Sequence, residues 1–169
     1  MVFDLDDIDR AILRLLQDNA RTPNAEIGRM VSLSGQSVQE RIRKLEVAGV
    51  IRGYEVSLDA AALGLEVTAF VELTTPTGQD YGAEYRGINE FIVREPEVLE
   101  HHSVAGDIDV ILKVRCADIP HLSALMDRLR NVSRAHTKTI IVLHTRKETQ
   151  SAPLRGGPIS GANGNVPLT

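Results

Sequence analysis

The stretch from Ser32 to Ile51, SLSGQSVQERIRKLEVAGVI, limits the choice of fold more than any other part of the chain. Ser34 supplies a capping hydroxyl at its start and Gly49 an exit at its end. Between them Val38, Ile42 and Leu45 recur at spacings of four and three, which is one apolar stripe on a helix. Gln36, Ser37, Gln39, Arg41, Arg43 and Lys44 fall off that stripe. A helix that buries one side and offers Ser, Gln and Arg on the other can lie in a groove, its side chains donating to phosphates or base edges. The same pattern also describes an ordinary solvated helix face, so the neighbours have to decide.

Upstream, Asp6 to Asp18 reads as a first helix. Ile8, Ile12, Leu15 and Leu16 repeat at helical spacing, and the Asp-rich entry suits the positive end of the helix dipole. Asn19 to Thr22 is a turn, and Thr22 followed by Pro23 is a start signal: a capping hydroxyl, then proline at the first helical position. A second helix runs to about Val31, with Ile27, Met30 and Val31 inward. Three residues, Ser32 to Ser34, then separate the second helix from the third, which makes a helix-turn-helix pattern. After Gly49 the run IRGYEVSLD alternates Ile51, Tyr54, Val56 and Leu58 with Arg52, Glu55 and Ser57, the periodicity of a strand serving as wing or connector. Ala60 to Gly64 is a short helical turn or hinge.

A second domain begins near residue 65, and its periodicities change in order. Glu66–Thr74 is a strand, closed by a loop at Pro76–Gly78. Asp80–Glu95 is a helix with Tyr81, Tyr85, Ile88 and Ile92 on one side. Val98–Ala105 and Asp109–Cys116 are strands around a Gly106-Asp107 turn. Asp118–Arg130 is a helix with Leu122, Leu125, Met126 and Leu129 inward, and Val132–Thr145 holds a last strand with Ile140 to Leu143 as its core. The order β-α-β-β-α-β is the ferredoxin-like, split βαβ arrangement, so the fold class is α+β. Two helices cover one face of such a sheet, and a second copy of the chain is the simplest cover for the other. Beyond Glu148 the run SAPLRGGPISGANGNVPLT lacks periodicity and reads as a disordered tail. The divisions expected are therefore 1–50, a connector over 51–64, 65–148, and a tail over 149–169.

Composition narrows the function. The net charge is −4, against an indiscriminate polyanion binder, yet Arg41, Arg43, Lys44 and Arg52 face only Glu40 and Glu46 between Ser34 and Arg52. The positive charge is local, as one helix meeting phosphates requires. There is no tryptophan and only 4% aromatic residues, so the core is aliphatic. No run of about 18 apolar residues exists, and the start MVFDLDDIDR lacks the basic end of a signal peptide. The single cysteine, Cys116, reads as a buried thiol on a strand in a reducing cytoplasm. His101 and His102 are adjacent on a strand and point to opposite faces, while His121, His136 and His144 lack partners at ligand spacing. No metal or cofactor is expected, and no nucleophile elbow, HExxH or phosphate loop is present.

Four segments together, LDDIDRAILRLLQDNART, LSGQSVQERIRKLEVAGVIRGY, VAGDIDVILKV and TKTIIVL, resemble the Lrp/AsnC (feast/famine) transcriptional regulators over roughly Leu5 to Glu148. Proline is frequent where Gly35 stands, and a neutral or basic residue where Glu40 stands; both departures bear on the DNA sequence preferred. The resemblance implies a winged helix-turn-helix domain and a RAM/ACT-like second domain. It puts the third helix in the major groove of double-stranded DNA, with Gln36, Ser37, Gln39 and Arg41 on bases or phosphates and Arg43, Lys44 and Arg52 on phosphates. A dimer would meet a pseudo-palindromic operator, and tetramers or octamers of such regulators follow by stacking dimers. Alone, the turn VAGDID reads as an ordinary hairpin turn. The resemblance makes it part of an amino-acid pocket between subunits. Backbone N–H groups near Ala105 and Gly106 would hold a carboxylate, and Asp107 or Asp109 an ammonium, with Thr137, Thr139, Ser103 and His136 nearby and Lys138 a less certain neighbour. The expected protein is a cytoplasmic, nucleoid-associated regulator and not an enzyme. The rival is an enzyme on the same framework, resembling sirohaem decarboxylases, with His101 or His102 at a tetrapyrrole site.

Overall fold

A computed structural model describes residues 3–75, 81–149 and 152–154, with only the backbone for 81–85. The chain divides into two compact units, Met1–Val56 with Thr149–Thr169, and Ser57–Glu148.

The first unit is three helices. Helix α1 spans Asp7–Asp18 and is started by a capping box: the Asp6 carboxylate accepts from the Asp9 N–H at 2.7 Å, and the Asp9 carboxylate accepts from the Asp6 N–H at 3.3 Å. The acidic entry therefore does more than complement the dipole; it closes the open N–H groups of the first turn. Helix α2 spans Asn24–Val31 and begins one residue later than expected. Pro23 is its cap residue, and Thr22 does not cap it: the Thr22 hydroxyl donates backwards to the Asn19 carbonyl at 2.8 Å, closing the preceding turn. Met30 is 58% exposed rather than inward. The buried face of α2 runs through Ile27 and Gly28, because the following turn crosses at Gly28, and Met30 is rotated away from it. The chain then turns through Ser32, in the left-handed region at φ 59°.

Helix α3 spans Gly35–Val47, capped by the Ser34 hydroxyl accepting from the Ser37 N–H at 3.0 Å. It ends at Gly49 with φ 70°, where the Val50 and Ile51 N–H groups both reach back to the Leu45 carbonyl. Ile12, Ile27, Val38 and Ile42 form the core of the unit, with Ile8, Leu15, Leu16, Val31, Leu33 and Ile51 at its margin. The strand expected over residues 51–58 is absent. The backbone there forms no regular structure and pairs with no strand, and Tyr54, Val56 and Leu58 are exposed. Alternation gives a segment the pattern of a strand; only a neighbouring strand gives it the hydrogen bonds.

In the second unit Asp59 caps a short 3₁₀ turn, Ala61–Leu63, accepting from the Ala61 N–H at 2.9 Å. Then come β1 (Val67–Thr74), α4 (Tyr81–Arg94), β2 (Val98–Ser103), β3 (Val110–Cys116), α5 (Ile119–Val132) and β4 (His136–Ile141). The loop expected at 76–78 and the side chains of Tyr81 and Tyr85 lie outside the described residues. The sheet is antiparallel in the order β2-β3-β1-β4, which the β-α-β-β-α-β reading requires. Ala69, Val71 and Leu73 on β1 and Val110, Leu112, Val114 and Cys116 on β3 share the covered face, against Ile88 and Phe91 of α4 and Leu122, Leu125, Met126 and Leu129 of α5. Cys116 is a buried thiol, and burial pushes its pKa up.

The last strand departs from expectation. Ile140, Ile141 and Leu143 are exposed rather than core. As an edge strand β4 is paired only with β1, so both its faces stay partly open, and Ile140 faces the uncovered side opposite Phe70. On that uncovered face Lys113 bridges Glu100 and Glu148, Arg115 reaches Glu148, and Lys138 pairs with Glu72. Most of the expected tail, 149–169, lies outside the described residues; within the part described, the Ala152 carbonyl accepts from the Gln17 side chain at 2.9 Å.

Candidate DNA-reading helix and effector turn

Helix α3 carries the side chains expected to meet DNA. With Val38, Ile42 and Leu45 buried, Gln36, Gln39, Arg43 and Lys44 are exposed. Ser37 is half-buried; its hydroxyl lies 2.8 Å from the capping hydroxyl of Ser34, so it is partly engaged in the helix start. Arg52 is exposed in the irregular segment after the helix. Val47 is 82% exposed on the same outer side of α3.

Arg41 stands apart from this group. Its Nη1 donates to Asp6 Oδ2 at 2.7 Å and to Asp9 Oδ1 at 2.8 Å. The hydrogen bonds it donates to those two carboxylates hold the guanidinium even more firmly protonated, and the Asp6 carboxyl is held below its usual range first by the Asp9 N–H. Of the arginines expected on DNA, this one is a cross-link between α1 and α3. A second tie, from the Tyr54 hydroxyl to Glu46 at 3.0 Å, fixes the chain just past the C-terminal end of α3.

The turn between β2 and β3 is fastened at its base. The Val104 N–H donates to the Asp109 carbonyl, and the Asp109 N–H donates to the Leu73 carbonyl, each at 2.9 Å. Gly106 at the tip has φ 148°, a conformation L side chains rarely adopt. Both bonds use N–H groups outside the Ala105–Asp107 tip. The Asp109 carboxylate accepts from the Thr75 hydroxyl at 2.6 Å and from the Thr75 N–H at 2.7 Å, and these bonds hold it below its ordinary range. Asp109 thus pins the end of β1, whereas Asp107 is exposed.

Register brings Thr137, His136 and Ser103 to the same end of the sheet. Thr137 stands opposite Leu73 and His136 opposite Thr74, while Ser103 stands opposite Val110, itself the partner of Leu73. Thr139 lies two residues further along β4, opposite Val71. Alternation separates them by face: Thr137 and Thr139 share the side of Leu73 and Val71, and His136 lies on the other. His101 and His102 also divide between faces, opposite Leu112 and Ile111, and His102 lies 3.1 Å from Glu100. Among the described residues no three histidine, cysteine or acidic side chains gather as a metal site.

The two halves of this arrangement correspond to two family models, in order. Residues 5–46 match the AsnC-type helix-turn-helix domain, and residues 68–152 match the Lrp/AsnC ligand binding domain. The chain belongs to the Lrp/AsnC family. This Lrp/AsnC protein is 32% identical over 152 residues to the HTH-type transcriptional regulator FL11 of Pyrococcus horikoshii, covering 89% of this chain and 97% of that one. It is 34% identical over 148 residues to the leucine-responsive regulatory protein of Escherichia coli, covering 86% and 89%. Its fold superposes on transcriptional regulator NMB0573 of Neisseria meningitidis, determined as an L-Met complex, with a TM-score of 0.81 at 27% identity, over 90% of this chain and 98% of that one. It is a DNA-binding transcriptional regulator with a helix-turn-helix unit and a domain of ligand-binding type.

Three contacts of this Lrp/AsnC chain escaped the sequence reading: Asp6 and Asp9 with Arg41, Thr75 with Asp109, and Glu46 with Tyr54. The first had a signal, since an acidic helix entry is a ready partner for an arginine flanking the buried stripe of another helix. The second joins residues 34 apart, which local spacing does not relate.

Proposed function

We propose that this regulator senses a small amino acid at the turn 105–107 and couples its binding to operator binding by dimers. The observation that supports the reading is the exposed Gly106-Asp107 tip beside the end of β1 that Asp109 pins, with Thr137 opposite Leu73 at that end and Thr139 two residues further along β4. The tip N–H groups suit an α-carboxylate, the Asp107 carboxylate an α-ammonium, and the threonine hydroxyls a polar rim. NMB0573 was determined with L-Met, which makes an amino acid the ligand class to test. The functional divisions are a DNA-binding part over 1–50, a connector over 51–64, an effector and assembly part over 65–148, and the tail from 149.

The uncovered sheet face, where Phe70 and Ile140 stand opposed and exposed, supports pairing with a second copy, and Tyr54, Val56 and Leu58 add apolar surface on the connector. Dimers would carry two α3 helices to pseudo-palindromic half-sites, with tetramers or octamers built from them. Gln36, Ser37 and Gln39 are the base readers and Arg43, Lys44 and Arg52 the phosphate contacts. No helix among the described residues is long and apolar enough to cross a membrane; a cytoplasmic, nucleoid-associated regulator fits this reading.

A thermal-shift screen of the protein amino acids tests the pocket. One or a few raise Tm, by an amount equivalent to about 2.7 kcal/mol at a hundredfold excess over Kd. Asp107→Ala abolishes that rise and leaves the ligand-free Tm in place, because its carboxylate is exposed. A rise retained in Asp107→Ala contradicts the pocket.

A further inference from the structure

We propose that Asp6 and Asp9 are positioning residues of the DNA-reading helix: they act through Arg41, which sets the pose of α3 and does not itself touch DNA. The inference rests on the reading of α3 as the DNA-reading helix.

Each carboxylate divides its oxygens between two tasks. Asp6 Oδ1 takes the Asp9 N–H and Asp6 Oδ2 takes Arg41. Asp9 Oδ2 takes the Asp6 N–H and Asp9 Oδ1 takes Arg41. The box that starts α1 therefore also fixes both rotamers at the angle a guanidinium needs. The Asp9 side chain is only 13% exposed and that of Arg41 30%, so the pair is shielded from the screening that makes surface ion pairs nearly worthless. At about 100° per residue, Arg41 lies about 70° from the midline of the Val38, Ile42 and Leu45 stripe. It flanks the core toward α1, while Gln36 and Arg43 face away.

Charge gives the same answer. Two carboxylates against one guanidinium leave a local excess of negative charge, and Glu40 lines the same cleft beside Ser37 and Lys44. A phosphate entering there would meet three carboxylates against Arg41 and Lys44, a net charge of −1, with the Arg41 guanidinium already taken by two of those carboxylates. The pair instead ties the first turn of α1 to the middle of α3, which is where a small rotation of the reading face is decided. Affinity for specific sites should depend on this tie, and the electrostatic grip on any DNA should not.

The test uses the full chain and a DNA site enriched by the protein from a random pool, with a scrambled duplex as non-specific control. Wild type must first bind in a salt-dependent way; its failure to do so would overturn the DNA reading itself. Positioning predicts that Asp9→Asn and Arg41→Ala each weaken specific binding about five- to tenfold, leave scrambled-DNA binding unchanged, and keep the wild-type slope of log K against log salt. The double variant should be no weaker than either single one. Asp6→Asn, at the more exposed end of the pair, gives a smaller loss in the same direction should Asp9→Asn fold poorly. Arg43→Ala, by contrast, lowers the slope by about 0.9. A slope lowered by that amount in Arg41→Ala, or tighter binding in Asp9→Asn, would overturn the proposal.

Discussion

Asp109 shows how one carboxylate can carry both shape and pH dependence. It takes the hydroxyl and the N–H of Thr75, and those bonds hold its carboxyl below the usual carboxylate range. Asp6, Glu100 and Glu148 are held low in the same sense, by the Asp9 N–H, by His102 and Lys113, and by Lys113 respectively. For each, the folded carboxyl binds its proton less readily than the unfolded one. The stability they contribute is complete above the unfolded value and is lost as pH falls through about 4 and below. Urea midpoints measured between pH 7 and pH 3 should therefore fall with acid, and Asp109→Asn should start lower at pH 7 and fall less steeply. At this scale the sequence was a good guide to Ser34, Val38, Ile42 and Leu45, whose roles depend on near neighbours. It was a poor guide to Arg41, because its partners lie 35 and 32 residues away and helical spacing marks a residue only as off the stripe.

Elements were legible wherever one face is buried by the chain itself. The three helices, both sheet helices and the antiparallel order all follow from periodicity. The failures have physical causes. Residues 51–58 alternate but find no strand to pair with, and the apolar end of β4 lies on an edge. Met30 was placed inward by spacing, whereas Gly28 determines the buried face of α2: a Cβ there would stand 2.5 Å from the Leu33 carbonyl oxygen. That closeness sets the approach of α2 to the turn before the reading helix. Gly28→Ala should cost about 1–3 kcal/mol, the usual effect of overpacking a tight contact, seen as a lowered urea midpoint. Gly53→Ala is its control, since nothing lies within 4 Å of a Cβ at that position, and it should change stability by no more than about 0.5 kcal/mol.

At the scale of the whole molecule, a chain of net charge −4 exposes Arg43 and Lys44 on α3 and Arg52 just beyond it, with other exposed cations such as Arg94, Arg130 and Lys138 distributed over the second unit. A single such helix grips DNA weakly; the proposed dimer would bring two copies, and the uncovered face bearing Phe70 and Ile140 is the surface proposed for pairing them. The covered face, with its alternating burial, was readable in sequence. A cover for the other face is a matter of the proposed dimer, which local pattern within one chain does not specify. The most direct measurement is to sequence the sites that the full-length protein enriches from random DNA. Two half-sites related by a dyad, spaced by about one helical turn or a multiple of it, are expected, with enrichment lost in Arg43→Ala/Lys44→Ala. No enrichment, or a single asymmetric half-site, would contradict a dimer that reads DNA through two copies of α3.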